Sequence, residues 1–370
     1  MIRRVSAFCL VVHARYQCQH SGGCCESWTV PAEAATVEIV RGLAVRRHGA
    51  EGPLFLSAVD AGGAESWTVA RDRAGDCVFF DRSESGSCVI HRDVGIEALP
   101  SACRHFPRKV LHDARGTLIS LSHFCPTAAA MLLNHADLSI VEAMPPLRLE
   151  SVMEGLDAAD ALPPLIRPGL LSDIVAYDAW ERAGIALFAA SPAGYGACLE
   201  RLSAATESVR RWNPTQGSLL EWVHSAFDAN TGPCIDGFSH RSAIERVARL
   251  TAGLAGDDLS PVEGFDDAWA RAIVGSNAEW FERGMKNYLA ARLFGNWIAY
   301  QSQGLRSVVA WLRTCAAVVR HFLVRRVLGS GLPATRQDFI EAVRAADLLL
   351  LHVLDTGSFA RDVAALEARA

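Results

Sequence analysis

Eleven cysteines punctuate this chain of 370 residues, at positions 9, 18, 24, 25, 77, 88, 103, 125, 198, 234 and 315. Eight fall in the first 125 residues, so the capacity for sulfur chemistry is concentrated at one end. Thiolate is a soft ligand that suits zinc and iron–sulfur clusters, and both take four ligands. The cysteines sit in short motifs: Tyr16-Gln-Cys18, Gly22-Gly-Cys24-Cys25 with Trp28, Gly75-Asp-Cys77-Val-Phe79, Cys88-Val-Ile90-His91, Cys103-Arg104 with Phe106-Pro107-Arg108, and Cys125-Pro126. Gly22 and Gly23 let the backbone turn tightly and approach a cofactor. Arg104 and Arg108 near Cys103 favour a thiolate there and offset its charge. The candidate ligands are therefore Cys18, Cys24, Cys25, Cys77, Cys88, Cys103 and Cys125, enough for one four-ligand site with spares or two sites sharing ligands. Their spacing lacks the close pairs of a zinc ribbon, which favours iron–sulfur, as a 4Fe-4S cluster, over zinc and leaves both open. Cys77 and Cys88 can also be read as small buried apolar residues.

The elements that must position these thiols come in two kinds. Glu65–Val69 and 77–80 read as short strands around the turn at 72–75, and 117–121 reads as another strand. Pro126 stands where a helix can begin. Residues 16–135 thus read as a small cysteine-rich mixed α/β metal-binding unit. Paired prolines at 145–146 and 163–164 mark 136–168 as a linker. From residue 169 to 370 apolar positions recur at helical spacing, with helices expected over 169–190, 195–211, 216–228, 239–254, 266–300, 305–328, 336–354 and 359–368. The fold class expected is α+β, mostly α, ending in a larger all-helical domain.

Half the residues are hydrophobic and 21% are charged, so a sizeable core is possible and disorder is not. The formal charge of −5, with no long basic block, gives a nucleic-acid partner no electrostatic support. No apolar run reaches the roughly 18–20 residues a bilayer span needs, so no membrane partner is expected. Arg3-Arg4 before the apolar stretch from Val5 to Val12 only faintly imitates a secretion signal. A disulfide framework belongs to short secreted chains, whereas clustered thiols in a long one indicate a reducing compartment, hence the cytoplasm.

The motifs, in this order, resemble the cysteine-cluster (zinc- or iron-chelating) family and, more closely, the flagellin lysine N-methylase family of bacteria. The residues carrying the resemblance are Tyr16 and Cys18, Cys24-Cys25 with Trp28, Gly75 with Cys77 and Phe79, and Cys88 with Ile90. They continue with Leu99, Cys103-Arg104 and Phe106-Pro107-Arg108, then Ser120-Leu121, Cys125-Pro126 and Ala129. Downstream, Trp280-Phe281, Asn287-Tyr288 and Phe294 resemble the family's Asn-Tyr helix. Two positions depart from the pattern: Ser21, with His20 beside it, replaces a further cysteine, and Lys286 replaces an acidic residue before Asn-Tyr.

The resemblance implies methyl transfer from S-adenosylmethionine to lysine amines of flagellin or another protein substrate. Such transfer needs an oriented neutral amine. Tyr288 is the candidate to orient it, with Asn287 as a hydrogen-bonding neighbour. No Gly-x-Gly-x-x-Gly fingerprint marks a donor site. The alternative is a non-catalytic cysteine-cluster metal-binding protein whose helical domain binds a partner.

Overall fold

The sheet that organises the first half begins earlier than the cysteine motifs. In the computed structural model, β1 (Ala7–Leu10) runs into a single helical turn, α1 (Val11–Ala14). Described are residues 6–19, 21–23, 25–26, 28–42, 52–59, 63, 65–82, 87–135, 138–145, 147–148, 155–229, 239–252, 259–275, 277–301 and 303–367. A cysteine-bearing section follows: β2 (Pro31–Ala32), α2 (Ala34–Gly42), β3 (Phe55–Val59), β4 (Glu65–Val69), β5 (Phe80–Asp81), β6 (Ser87–Cys88), α3 (Val89–Asp93) and α4 (Ser101–His105). The chain then forms the hairpin β7 (Arg108–Asp113) and β8 (Gly116–Leu121), followed by α5 (Pro126–Met131). The 136–168 span supplies β9 (Ile140–Glu142), β10 (Leu156–Asp157) and β11 (Leu165–Arg167), the last paired with β12 (Leu170–Leu171).

The main sheet has the order β10-β7-β8-β1-β9. β1 is parallel to β8 and antiparallel to β9, so the apolar N-terminal stretch is an interior strand. Side chains alternate across the pleat. Leu10, Leu111 and Leu118 join the core of the helical half, while Cys9, Val110, Ile119 and Leu121 face a second core with Tyr16 and Cys125. A third cluster, with Val30, Phe55, Val69, Phe79 and Ile90, lies under the cysteine loops. Each such fully buried side chain contributes at most about 1.5–3 kcal/mol.

The remainder is helical: α6 (Ile174–Ala190), α7 (Tyr195–Arg210), α8 (Leu219–Asp228), α9 (His240–Leu250), α10 (Phe265–Ala272), α11 (Asn277–Leu293), α12 (Leu305–Leu328), α13 (Arg336–Asp347) and α14 (Thr356–Glu367). The fold is mixed α+β and 54% helical, with several small sheets and a helical C-terminal region. Three sequence expectations are corrected. The helix expected from 169 starts at Ile174, because 170–171 pair as a strand and Asp173 caps the helix by accepting from Ala176 N at 2.7 Å. The helix expected over 266–300 is two helices, parted after Ala272 where Gly275 takes φ 55°, and α11 is followed by a 3-10 turn at Trp297–Tyr300. The expected 336–354 helix changes after Asp347 into a π-helical turn, Leu348–Val353.

Central α12 is long and apolar enough to cross a membrane by length and composition, but 89% of its apolar window is buried inside the protein. The hairpin is fastened to this helical half by Arg115, which pairs with Asp113, Asp178 and Glu181. Tyr300 adds a hydroxyl donated to Asp113 at 2.8 Å.

Candidate metal centre

Short pairings draw the cysteine loops together. Gly22 takes φ 73°, a left-handed conformation open to glycine, and Cys25 N–H closes the turn onto Gly22 O at 2.8 Å. Glu26 bridges to Asp76, and Cys77 N–H donates to Cys25 O at 2.9 Å, so two cysteines far apart in sequence become neighbours. Cys88 lies opposite Phe80 in the β5–β6 pair, which brings it back beside the same segment. Cys103 stands on α4, whose first residue, Ser101, donates its N–H to Glu33 Oε2 at 3.1 Å. Cys125 is the N-cap residue of α5.

As a result Cys18, Cys25, Cys77, Cys88, Cys103 and Cys125 line one cavity of about 350 Å³. Trp28, Phe79, Ile90 and Phe106 supply apolar wall, while Arg104, Arg108 and His91 supply its basic groups. Among the described residues, no three His, Cys, Asp or Glu side chains stand close enough together to form a metal-binding group. Cys24 and His20 lie outside the described residues, as does Cys234.

Tyr16 Oη is 3.8 Å from Cys125 Sγ, and burial pushes the Tyr16 hydroxyl's pKa far up, so it keeps its proton. Arg108 donates from Nε to Leu147 O at 2.5 Å, which fixes its guanidinium at the cavity edge. Cys9, Cys198 and Cys315 are buried and do not line the cavity. Burial pushes the Cys9 thiol up to about 11, which keeps it protonated, and Cys198 donates to Leu187 O at 3.4 Å. These three behave as small apolar residues.

Asn287 and Tyr288 both lie on α11, but they face different surroundings. Tyr288 is fully buried and donates its hydroxyl to Asp347 Oδ1 at 2.8 Å. Asn287 donates from Nδ2 to Leu132 O at 2.8 Å and Asn134 O at 3.3 Å, just past the end of α5. It also borders an open cleft of about 730 Å³ with Lys286, Glu282, Arg283 and His135. Lys286, standing where the resemblance has an acid, donates to Ser191 O at 2.8 Å.

The sequence reading missed how the helical half grips the segment leading to Cys125. Arg292 donates to Leu121 O, His352 Nε2 lies 2.9 Å from Ser122 Oγ, and Arg344 Nε donates to Phe124 O at 3.1 Å. Between them, Asp347 accepts from His123 N at 2.5 Å and from His123 Nδ1 at 3.1 Å. Because His123 Nδ1 carries the proton, its Nε2 accepts from His13 Nε2, 3.0 Å away. Burial alone would push the Asp347 carboxyl up, but Arg292 and His123 outweigh it and hold the group ionised well below the usual range. One signal was present in the sequence: Asp347 is a lone charge before the run of four leucines at 348–351. A carboxylate inside an apolar run requires a buried partner.

Compared with protein-family models, with curated proteins and with solved structures, the chain matches none.

Proposed function

We propose that this chain holds a thiolate-ligated iron–sulfur centre in the cysteine-lined cavity and acts as a protein-lysine N-methyltransferase of the flagellin lysine N-methylase kind, in the cytoplasm. One observation carries the proposal: six cysteines from five separate stretches of chain face a single cavity. The donor set fits such a group. Soft sulfur ligands are in excess of the four required, and Arg104 and Arg108 offset thiolate charge. A cluster meets its thiolates at several irons, whereas one zinc ion needs four sulfurs around a single point. The sequence spacing of the cysteines lacks the close pairs of a zinc ribbon, which favours 4Fe-4S over zinc.

When bound, the cluster supplies redox-active, Lewis-acidic iron and cross-links the loops that carry its ligands. The Tyr16 hydroxyl is positioned to donate to a Cys125 thiolate, and Arg108 places positive charge near Tyr16 and Cys18. Flagellin or another protein is the substrate class, and S-adenosylmethionine is the methyl donor that the motif resemblance implies.

A second reading is a non-catalytic centre whose helical half binds a partner. It is favoured by the fate of Tyr288, whose hydroxyl is spent on Asp347 away from solvent. In that case Asn287 and Tyr288 brace α5 and the Cys125 segment.

Protein purified without oxygen tests both. Brown colour with iron and sulfide in stoichiometric amounts is expected; a colourless protein with stoichiometric zinc would replace the cluster by a zinc site. Transfer of labelled methyl groups to flagellin, abolished in Asn287→Ala, supports the enzyme. No transfer and no binding of S-adenosylmethionine by the metal-loaded protein leaves the binding-protein reading.

A further inference from the structure

We propose that Arg344 is a positioning residue that sets the gap between loop 21–26 and loop 122–126, and hence the placement of Cys25 relative to Cys125 across the cavity. This rests on the cysteine-centre reading above.

Arg344 projects from α13 between the two loops and touches both. On one side its Nε donates to Phe124 O at 3.1 Å, with the guanidinium 5.6 Å from the Phe124 ring centroid. On the other its Nη2 lies 3.6 Å from the Glu26 carboxylate, next to Cys25 in the chain. From behind, Glu341 accepts from Nη1 at 2.7 Å and fixes the fork. Gly23 shows how closely the loops approach here. A Cβ at Gly23 would stand 2.7 Å from Pro126 Cγ and 3.0 Å from Arg344 Nη2. The loops are therefore in contact along the line that Arg344 spans.

The planar guanidinium is what makes this possible. It presents donors in several fixed directions, so one side chain can serve a carbonyl, and two carboxylates, at once. Lysine keeps the charge but offers one compact ammonium. The Glu26 pair is partly exposed and contributes little by itself. The bridging geometry, rather than the charge, carries the function.

The test is alkylation of the full chain, as purified without oxygen, by N-ethylmaleimide, with each cysteine followed by mass spectrometry in the wild type, Arg344→Lys and Arg344→Gln. Cys315, buried in α12, is the internal control for general unfolding. In both variants Cys25 and Cys125 should react about tenfold faster, by local opening, while Cys315 keeps its wild-type rate. Wild-type rates at Cys25 and Cys125 in Arg344→Lys would overturn the proposal, because charge alone would then suffice. An equal acceleration at Cys315 would also overturn it, as the residue would then support the fold in general. Iron and sulfide measured on the wild type decide the centre separately: a metal-free wild type with the expected thiol pattern removes the cluster and keeps the bridge.

Discussion

Two side chains, Tyr16 on the cavity wall and His13 against His123, show what single buried groups contribute. The Tyr16 hydroxyl is the hydrogen-bond partner of Cys125 Sγ and is held in an apolar setting with Ile119 and Leu121. Groups that orient a metal ligand in this way typically alter affinity 10–100-fold when removed. Tyr16→Phe is expected to weaken metal retention about tenfold against a competing chelator, with the fold unchanged by circular dichroism. Retention equal to wild type would remove Tyr16 from the site. His13 has a different role. Burial, assisted by the nearby His123 and Arg292 and opposed by Asp347, holds its ring well below its ordinary pKa, so it is neutral in the folded protein. The unfolded chain takes up that proton near pH 6.5 and the folded chain does not. The resulting stability is complete above about pH 6.5 and falls as pH drops, by up to about 1.4 kcal/mol per pH unit for this one ring. His13→Gln, whose amide can still donate to His123, should flatten that slope by one proton in urea melts between pH 7.5 and 5. A slope identical to wild type would show that His13 titrates freely.

Helix contacts decide whether these side chains meet. The α11 helix carries Asn287 and Tyr288, and it approaches α13, which carries Arg344 and Asp347, at Gly284. A Cβ at Gly284 would lie 2.8 Å from the Phe339 ring and 3.1 Å from Leu133 Cδ2. Neither a ring nor a packed leucine yields easily. Gly284→Ala gains helix propensity but overpacks this contact, so a net loss of about 1–2 kcal/mol is expected in chemical denaturation. Gly196, in the first turn of α7, has nothing within 4 Å of an added Cβ. Gly196→Ala should therefore stabilise by about 0.4–1 kcal/mol. Opposite signs for the two substitutions test the close approach of α11 to α13; a stabilising Gly284→Ala would show that the helices can separate at no cost.

Across the whole molecule, the cysteine section and the helical half are built on different principles. The helical half shares one continuous apolar core with one face of the main sheet, through Leu10, Leu111 and Leu118. The cysteine loops rest on a much smaller apolar cluster and are made of very short strands and turns. Elements of that size have few packed contacts of their own. On the proposed cysteine-centre reading, metal binding is coupled to the order of this section. Removing metal with a chelator should lower amide-exchange protection in residues 22–30 and 70–105 by about tenfold or more, while α12 keeps its protection. Uniform loss throughout the chain would contradict the division; no loss anywhere would mean the loops need no metal to hold their shape.

Much of this organisation was legible in the sequence because it is local. Glu65–Val69 forms a strand, Pro126 opens a helix, and the spacing from Leu305 to Val327 defines α12. Each of these patterns is set by neighbours a few residues apart. The breaks at 170–173 and around Gly275 were hidden because strand pairing and a left-handed glycine overrode a helical periodicity. That Ala7–Leu10 is an interior strand, and that 136–168 supplies strands, depended on partners distant in the chain. The same division holds at the site. Residue type alone marked the cysteines as soft ligands, but only the tertiary structure placed six of them around one cavity. It also assigned Asp347, Arg292, His352 and Arg344 to the Cys125 segment, a role no spacing encodes. Sequence fixes which chemistry a side chain offers; burial and long-range packing decide which partner it meets.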